Sequence, residues 1–585
     1  MTRALAVGAT LVSAKALMLA GQPVPHSVWA IPALVWQDVA VAVAFWAIDR
    51  ATGRSRWMWL AYAVVVIAAA IDAPIARVLG SPLTVPMLRA AGGPLGDSIH
   101  HEATVANLAA IAVVLALGTW LPCALGRVAN RGRVIVAVAG MALALAGPVA
   151  RRDVDIRGLD RNAVTAILAT ATPRVTGVAA EADWRAGLTE DAAGEDLSRW
   201  SRTAAGRNVV VVVLESTAAG YLGAYGAALD PMPRLTALAG HAIVFDHAYT
   251  VYPESIKGLF AMVSSRYPGF DVPADAHVAE SGAPLPRLLR DAGYRTALFH
   301  SGRFAYLGMD AVVGAEGFDT AEDAGAICGN VQSSFGVDEP STVRRLLSWV
   351  DASPPDRPFF AMYLPVAGHH PYAIPEPGPF QEPGELGAYK NALHYADTAL
   401  GELASGLLAR RLLDRTLLIV VGDHGEAFGQ HPGNFGHTLF IYDENVRVPL
   451  IVVPPQAPGH PMDAIHVTRV ASSLDLAPTV LDLLGLPASP LHQGASLLQP
   501  ASRMALFFTD YALGWLGLRD GCWKAIVEVE SGRARLFDLC ADPDERIDRS
   551  AEFPDRVRTY RDRLDGWSRA SRAAIVDRRS ASGGR

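Results

Sequence analysis

The hydrophobic positions of this chain are concentrated before residue 150, where they form long uninterrupted runs. The runs cover residues 4–20, 28–48, 57–75, 103–122 and 133–150. Because a helix needs about 20 apolar residues to cross the hydrocarbon core of a bilayer, the pattern predicts five transmembrane helices within residues 1–150. The first run is short and contains Lys15. A cleaved signal peptide would explain that run alone, and buried helices of a soluble protein are the alternative for all five.

Basic residues in the connections predict how these helices are oriented. Arginines follow the second and the fourth run, at Arg50, Arg54, Arg56, Arg127, Arg131 and Arg133. Cytoplasmic loops carry an excess of Lys and Arg. The N-terminus is therefore predicted to be cytoplasmic, and everything after the fifth helix extracytoplasmic. The protein is expected to be a multi-pass protein of the cell (inner) membrane.

The segment 151–205 differs from the runs before it, because it is charged, mixed in composition and contains Trp184 and Trp200. This composition is typical of a juxtamembrane linker. The linker either includes an amphipathic helix on the bilayer surface or is plainly solvated.

From residue 206 onward, β-branched runs alternate with helical patterns. Strands are predicted at 208–214, 295–299, 358–364, 416–421 and 448–453. Helices are predicted at 284–292, 340–352, 388–410 and 473–485. Alternation of this kind predicts an α/β domain at 206–500 with a mostly parallel central sheet, whose site lies beyond the carboxyl ends of the strands. Residues 501–585 are expected to form a small C-terminal subdomain and tail.

Composition narrows the function classes. The 585 residues exceed one ordinary domain, 51% of them are hydrophobic and the net charge is only −7. No basic block is present, which argues against nucleic acid as a partner. The four cysteines form no zinc pattern. Cys522 and Cys540 either form a disulfide outside the cell or remain as two buried thiols.

Polar residues that end two of the predicted strands suggest a metal site. Glu215 follows the run 208–214, and Asp423 and His424 follow the run 416–421. Two carboxylates and one imidazole can hold one divalent cation, and oxygen-rich ligands with a single imidazole suit a hard ion. The competing interpretation of Glu215 is a capping carboxylate.

Seven segments resemble the sulfatase-like branch of the alkaline phosphatase superfamily. They are Asn208–Gly226, Pro233–Tyr249, Gly293–Gly302, Asp414–Gly429, Asp475–Pro487, Arg519–Lys524 and Leu536–Glu545. With five predicted helices in front of these segments, the architecture is most similar to that of lipoteichoic acid synthases and related membrane phosphoglycerol and phosphoethanolamine transferases. The resemblance implies one divalent cation, manganese, magnesium or calcium, bound by Glu215, Asp423, His424 and the nucleophile.

The same resemblance identifies the nucleophile. Placing the segment 264–268 (SSRYP) on the family's Thr-Gly-Arg-Tyr-Pro brings Ser255 to the nucleophile position. The next residues, 256–259 (IKGL), lack the x-Pro-x-Arg that sulfatases need to convert this residue to formylglycine. An unmodified hydroxyl suits phosphoryl transfer through a phosphoserine-type ester. Ser255 as a mere helix N-cap, and Thr250 as the nucleophile, are the alternatives.

Two histidines are implied to contact the phosphoryl group. His369 begins a His-His-Pro that resembles the family's His-x-Pro, and His437 lies in the loop after the metal motif. Each is expected to donate a hydrogen bond to the phosphoryl group or to protonate the leaving oxygen. His370 and His431 are possible substitutes. Lys257 is predicted either to offset phosphate charge or to be an exposed helix lysine.

Together these features imply a membrane-bound, metal-dependent transferase. It would move a phosphoglycerol or phosphoethanolamine head group from a membrane phospholipid to a glycan or lipid acceptor, or to water, through a phosphoserine-type intermediate. A membrane-anchored sulfatase or phosphodiesterase is the first alternative. A non-catalytic relative that binds lipid or protein is the second.

Overall fold

The computed structural model describes most of the chain. Outside the description are residues 22–23, 54, 92–98, 101, 128–129, 180–181, 189–194, 281, 307, 334–335, 353, 355, 456–461 and 583–585. Arg54, which entered the orientation prediction, lies outside the described residues.

Long apolar helices make up the N-terminal part. The helices are α1 (Thr2–Met18), α2 (Ala30–Ala51), α3 (Trp57–Leu79), α4 (Val85–Ala90), α5 (Val105–Arg127), α6 (Asn130–Asp153) and α7 (Ala163–Ala171). Among the described residues, four segments are long and apolar enough to cross a membrane: α2, α3, α5 and residues Val134–Asp153 of α6. The first predicted span forms α1, which has only 17 residues and packs against α2, α3 and α5.

Lys15 explains why α1 differs from the other four helices. Its ammonium is buried and donates hydrogen bonds to the main-chain oxygens of Leu159, Asp160 and Arg161, at 3.0, 2.8 and 2.7 Å. It also pairs with Asp38 at 3.3 Å. A buried charge is tolerated when its hydrogen bonds are satisfied in this way. The chain just after α6 is therefore buried against the helices rather than solvated.

A nine-stranded sheet forms the core of the α/β domain. Its strands are β1 (Asn208–Leu214), β2 (Ile243–Tyr249), β3 (Arg295–His300), β4 (Thr320–Glu322), β7 (Phe359–Leu364), β8 (Thr416–Gly422), β11 (Arg447–Val448), β12 (Leu450–Val453) and β13 (Ile465–Ser472). The short strands β5 (Val331–Ser333), β6 (Gly336–Val337), β9 (Ala427–Phe428) and β10 (Phe435–Gly436) form two separate pairs. The order along the main path is β11-β2-β12-β8-β1-β7-β3-β4, with β13 beside β2.

The central pairs of this sheet are parallel. β8, β1, β7, β3 and β4 run in the same direction, whereas β12 is antiparallel to both of its neighbours. The five predicted strands are observed within about two residues of their ends. The run 448–453 is divided at Pro449 into β11 and β12, because proline has no N–H to donate to the ladder. The predicted α/β class is confirmed.

Helices cover both faces of the sheet. They are α8 (Pro233–Ala239), α9 (Ser255–Ser264), α10 (Leu285–Asp291), α11 (Met309–Glu316), α12 (Glu339–Asp351), α13 (Glu385–Ala409), α14 (Asp443–Val446) and α15 (Leu476–Leu484). One buried cluster packs α9, α10, α11 and α15 against one face of the sheet, and a second packs α8, α12 and α13 against the other. Both faces of the central strands are therefore buried, which accounts for the unbroken Val209–Leu214 run.

The C-terminal part is a four-stranded antiparallel sheet followed by a long helix. Its elements are β14 (Ala505–Thr509), β15 (Trp515–Asp520), β16 (Trp523–Glu528), β17 (Ala534–Asp538) and α16 (Pro554–Ser582). A disulfide joins Cys522, just before β16, to Cys540, just after β17. The two cysteines are thus bonded rather than free, whereas Cys123 and Cys328 are exposed thiols.

Removing this disulfide is expected to destabilise the C-terminal subdomain. The bond closes a loop with a sequence separation of 18, and a loop of about that length is worth roughly 3 kcal/mol of unfolding free energy. We expect the double variant Cys522→Ser/Cys540→Ser to unfold at a lower temperature than the wild type in detergent. Cys123→Ser is the matched control and is expected to unfold like the wild type. A double variant as stable as the wild type would show that the subdomain does not depend on the bond.

Candidate active site

The register of the central sheet brings the predicted metal ligands together. Leu214 at the end of β1 is paired with Gly422 at the end of β8. Glu215 and Asp423 therefore leave adjacent parallel strands at the same level. One carboxylate oxygen of Asp423 accepts hydrogen bonds from the main-chain N–H groups of Ser216 and His424, at 3.0 and 2.7 Å. These bonds fix the orientation of the carboxylate.

Glu215, Asp423 and His424 form a buried cluster. His424 Nε2 lies 3.4 Å from a carboxylate oxygen of Glu215 and 3.4 Å from one of Asp423. One ligand atom from each residue lies within 4.8 Å of the other two. The other ring nitrogen, Nδ1, is 3.0 Å from the main-chain oxygen of Gly425, so Nε2 is the nitrogen that faces the carboxylates.

The protonation of this cluster reflects its excess of negative charge. Burial and the charge of Glu215 raise the pKa of Asp423 to about 8. Burial lowers the pKa of His424, but the two carboxylates outweigh it and raise that pKa to about 10. Burial also opposes ionisation of Glu215, yet its hydrogen bond and charge interaction with His424 hold its pKa below the ordinary value. Two buried carboxylates beside one imidazole thus fit a divalent cation, which would replace the protons they hold.

Ser255 stands beside this cluster as the first residue of α9. Its hydroxyl donates a hydrogen bond to Glu215 at 3.0 Å, and its oxygen is 3.3 Å from His424 Nε2. The helix is capped by the preceding residue, since the carboxylate of Glu254 accepts from the N–H groups of Ile256 and Lys257, at 3.0 and 3.3 Å. Ser255 is therefore not the N-cap, and its hydroxyl is directed at the cluster.

His437 is the second histidine that the structure places at the cluster. Its Nδ1 is 2.8 Å from a carboxylate oxygen of Glu426, whose other oxygen accepts from Tyr372 at 3.0 Å. The rings of His437 and His424 have centroids 4.2 Å apart. Charge and a hydrogen bond from His437 hold the pKa of Glu426 below its ordinary value in spite of burial. Glu426 therefore orients His437 as a carboxylate orients a catalytic imidazole.

A cavity opens over these groups. Ser255, Glu215, His369 and His437 line one part of it. Burial lowers the pKa of His369, so its imidazole is neutral at physiological pH. The rest of the wall includes apolar and aromatic residues, Ile256, Tyr306, Met309, Val366 and Tyr511, and the polar residues Glu254, His300 and Thr438, with Arg303 at the exposed side.

The other predicted site residues lie elsewhere. Lys257 is buried, and its ammonium pairs with Asp510 at 2.8 and 3.0 Å rather than facing the cavity. The alternatives Thr250, His370 and His431 are absent from the described lining as well. His431 is 2.7 Å from Glu444 and Thr250 donates to the main-chain oxygen of Tyr252 at 3.3 Å.

Sequence reasoning did not single out Glu426, Glu254, Arg303 or Tyr511. Glu426 stood within the Asp-His-Gly-Glu motif, and its distance of two residues from His424 was the available signal. Glu254 directly precedes the nucleophile, in a position where a carboxylate caps a helix. Arg303 and Tyr511 gave no local signal, since the fold alone brings them to the cavity.

Replacing Glu426 by glutamine is expected to lower the catalytic rate of the enzyme about 10–100-fold. The amide is isosteric but removes the charge that orients His437. Glu444→Gln is the matched control. Glu444 lies 2.7 Å from His431, much as Glu426 lies 2.8 Å from His437, but neither Glu444 nor His431 is among the residues that line the cavity. Rates are measured for both variants at saturating substrate. The rate should fall for Glu426→Gln only. Equal rates for the two variants would show that His437 needs no oriented carboxylate.

The α/β domain is similar in sequence to known proteins. Residues 207–486 match the family model described as Sulfatase. Arylsulfatase K of Mus musculus is 31% identical over 188 residues, which cover 28% of this chain and 33% of that protein. Lipoteichoic acid synthase 2 of Bacillus subtilis (strain 168) is 23% identical over 327 residues, which cover 52% of this chain and 49% of that protein. The chain therefore spans about a third to a half of the length of these relatives.

A solved structure shows the same fold. A protein of the alkaline phosphatase superfamily from Vibrio parahaemolyticus superimposes with a TM-score of 0.52 at 21% identity, covering 65% of this chain and 90% of that one. Residues 207–486 are thus a sulfatase-family domain with the fold of the alkaline phosphatase superfamily. The resemblance predicted from the seven segments is confirmed. The family consists of enzymes whose members use divalent metal ions, in keeping with the cluster at Glu215, Asp423 and His424.

Proposed function

We propose that this protein is a membrane-bound, metal-dependent transferase. It takes a phosphoglycerol or phosphoethanolamine head group from a phospholipid and passes it to a glycan or lipid acceptor. The observation that carries the proposal is the Ser255 hydroxyl, held 3.0 Å from Glu215 and 3.3 Å from His424 in a chain whose described residues include four candidate membrane spans. The similarity to a lipoteichoic acid synthase over 327 residues supports the transferase reading.

Glu215, Asp423, His424 and the Ser255 oxygen would hold the cation. Manganese, magnesium and calcium suit this oxygen-rich set. When bound, such an ion lowers the pKa of an adjacent hydroxyl and neutralises charge on phosphate oxygens.

The residues of the chain supply the remaining chemistry. The Ser255 oxygen attacks phosphorus, its proton passes toward Glu215, and the bond from phosphorus to the diacylglycerol oxygen breaks. His437, whose Nδ1 is held by Glu426, protonates that leaving oxygen. The acceptor hydroxyl then attacks the phosphoserine, gives its proton to a histidine, and the Ser255 oxygen leaves and is reprotonated.

The membrane helices support a lipid donor. An anchored site sees head groups at a high effective concentration, and the apolar and aromatic cavity wall suits a substrate that carries hydrocarbon. The proposed location is the extracytoplasmic side of the cell membrane. The Cys522–Cys540 disulfide supports it, because such bonds persist in oxidising compartments.

Hydrolysis of a sulfate or phosphate ester is the second candidate, favoured by the similarity to arylsulfatase K. Residues 256–259 (IKGL) argue against it, because they lack the proline and arginine required for formylglycine formation. A non-catalytic relative is disfavoured, since Glu215, Ser255, Asp423 and His424 all converge in one site.

The test is peptide mapping of the full-length protein in detergent, after incubation with Mn²⁺ and either phosphatidylglycerol or phosphatidylethanolamine. We expect release of diacylglycerol and a head-group phosphate on the peptide that contains Ser255. Formylglycine at this position would establish the sulfatase alternative. If neither an adduct nor diacylglycerol is observed with either lipid, the proposed donor is overturned.

Arg303 is expected to bind the phosphate of the donor. Its guanidinium lies at the exposed side of the cavity and has no hydrogen bond or ion pair with another described residue. A guanidinium that is free in this way matches phosphate oxygens in a bidentate manner. Arg303→Ala should raise the KM for the lipid about tenfold or more, since hydrogen bonds to charged groups are worth about 1.5–3 kcal/mol. Arg290→Ala, on the exposed side of α10, is the control; an equal KM for both variants would contradict this role.

A further inference from the structure

The loop 510–514 joins β14 to β15 in the C-terminal subdomain. It is held from one side by the N-terminal region, which here means residues 1–174. Thr84, which precedes α4, donates a hydrogen bond to the main-chain oxygen of Tyr511 at 2.8 Å. Arg161, which follows α6, donates to the main-chain oxygen of Ala512 at 3.2 Å. Both donors lie outside the sulfatase-family domain and reach across more than 300 residues of sequence.

Arg174, from the same N-terminal region, holds the loop at two further points. It donates to the main-chain oxygens of Asp510 and Ala512, at 2.6 and 2.9 Å. Three consecutive carbonyl groups of the loop thus accept hydrogen bonds from N-terminal side chains. Buried carbonyl groups need such hydrogen-bond partners, and the loss of a partner is destabilising.

The opposite side of this loop faces the candidate active site. The side chain of Tyr511 lines the same cavity as Ser255. The carboxylate of Asp510 accepts from the Lys257 ammonium at 2.8 and 3.0 Å and from the Tyr252 hydroxyl at 2.7 Å. Lys257 lies in α9, two residues after the nucleophile. The loop therefore joins the N-terminal region to the helix that begins at Ser255.

Tight packing makes this connection stiff. Arg161 and Asp510 are only 4% and 5% exposed. Gly158 packs against the loop so closely that a Cβ on it would lie 2.7 Å from Leu513. Arg161 also donates to Ser81 at 3.3 Å, in the turn that follows α3, so the contact extends to the membrane helices. A displacement of this N-terminal surface would displace the cavity wall.

We propose that the N-terminal membrane region is a structural part of the active site, in which Thr84 and Arg161 are positioning residues that hold Tyr511 in the cavity wall. The region then does more than tether the enzyme to lipid. The kinetic readout of this inference rests on the proposed function, whereas its structural readout does not.

The test uses the full-length protein in nanodiscs that contain the lipid donor. Thr84→Val is isosteric and removes both the donor to Tyr511 and the 3.4 Å cap on the Met87 N–H, and Thr84→Ser restores both. Arg161→Met keeps the apolar part of the side chain and removes the guanidinium. Thr52→Val is the matched control, because among the described residues the Thr52 hydroxyl bonds to the nearby main-chain oxygen of Ile48 and not to the loop. Head-group transfer, Mn²⁺ affinity and amide hydrogen exchange of the peptides covering 255–264 and 508–513 are measured for each.

We expect Thr84→Val and Arg161→Met to lose about tenfold or more in kcat, to bind Mn²⁺ like the wild type and to exchange faster at 508–513. Thr84→Ser and Thr52→Val should match the wild type. Wild-type rates and exchange in both Thr84→Val and Arg161→Met would overturn the proposal, and so would a loss of rate without faster exchange at 508–513. If Arg161→Met fails to fold, Thr84→Val alone decides. A wild type that transfers no head group would refute the proposed function, while the exchange data would still test the coupling.

Discussion

Replacing Ser255 by alanine is expected to abolish the covalent adduct and to lower head-group transfer about 10³–10⁶-fold, the range seen when a nucleophile is removed. Thr250, the alternative nucleophile, bonds to the main-chain oxygen of Tyr252 and does not line the cavity. The helix itself should survive, because Glu254 provides its cap. The loss should therefore appear in kcat, with the unfolding temperature close to that of the wild type.

The control for this prediction is Thr250→Val, which is expected to keep nearly full activity and the adduct on Ser255. Radiolabelled head-group transfer and peptide mapping measure both variants side by side. An adduct that persists in Ser255→Ala and disappears in Thr250→Val would move the nucleophile to Thr250. Activity that survives in both variants would exclude a covalent intermediate on either residue.

Binding of the cation is expected to strengthen as the pH rises. The pKa of Asp423 is raised to about 8 and that of His424 to about 10, so near neutral pH the metal-free cluster holds protons that a cation must displace. Each proton released makes the apparent affinity up to about tenfold weaker for every unit by which the pH falls. Titration calorimetry of Mn²⁺ in buffers of different ionisation enthalpy should show this release directly.

The protons on Asp423 and His424 weaken cation binding, but they stabilise the folded state of the metal-free protein. A folded-state pKa that is raised contributes stability at low pH, which is lost as the pH rises through that value. The metal-free protein should therefore lose stability as the pH rises from about 6 towards 10, while the cation binds more tightly. The rise in unfolding temperature caused by Mn²⁺ should be larger at about pH 8.5 than at about pH 6.

Asp423→Asn serves as the control for both measurements. It removes one ligand and one displaceable proton, so it should lose activity together with the stabilisation by Mn²⁺. Chelation of the wild-type protein should abolish transfer reversibly. An affinity for Mn²⁺ that is independent of pH would show that the cluster is not the binding site.

The sheet and the metal cluster were accessible from the sequence because both depend on local patterns. Unbroken β-branched runs such as Val209–Leu214 identify strands that are buried on both faces. Polar residues at the ends of such runs, Glu215 and Asp423, then meet because parallel strands end at one edge. The functional cluster followed from the same reasoning that gave the fold.

Residues whose position depends on distant contacts could not be assigned in this way. The position of Lys257, two residues from Ser255, predicts a phosphate contact, but Asp510, which pairs with it, comes more than 250 positions later. Lys15 interrupts an apolar run, and its partners at 159–161 form no sequence pattern that would reveal them. Tyr511 reaches the cavity through the packing of the C-terminal subdomain, which no periodicity encodes.

Under the proposed orientation, the Cys522–Cys540 disulfide reports whether a given chain has been exported. Its two sulfurs form a bond only in an oxidising compartment, and under the proposed orientation this requires the C-terminal half to have crossed the membrane. Chains retained inside the cell would keep four free thiols, whereas exported chains would keep two, at Cys123 and Cys328. If cells are alkylated without prior reduction, the mass shift of the protein would thus distinguish translocated from retained molecules, without a fused tag.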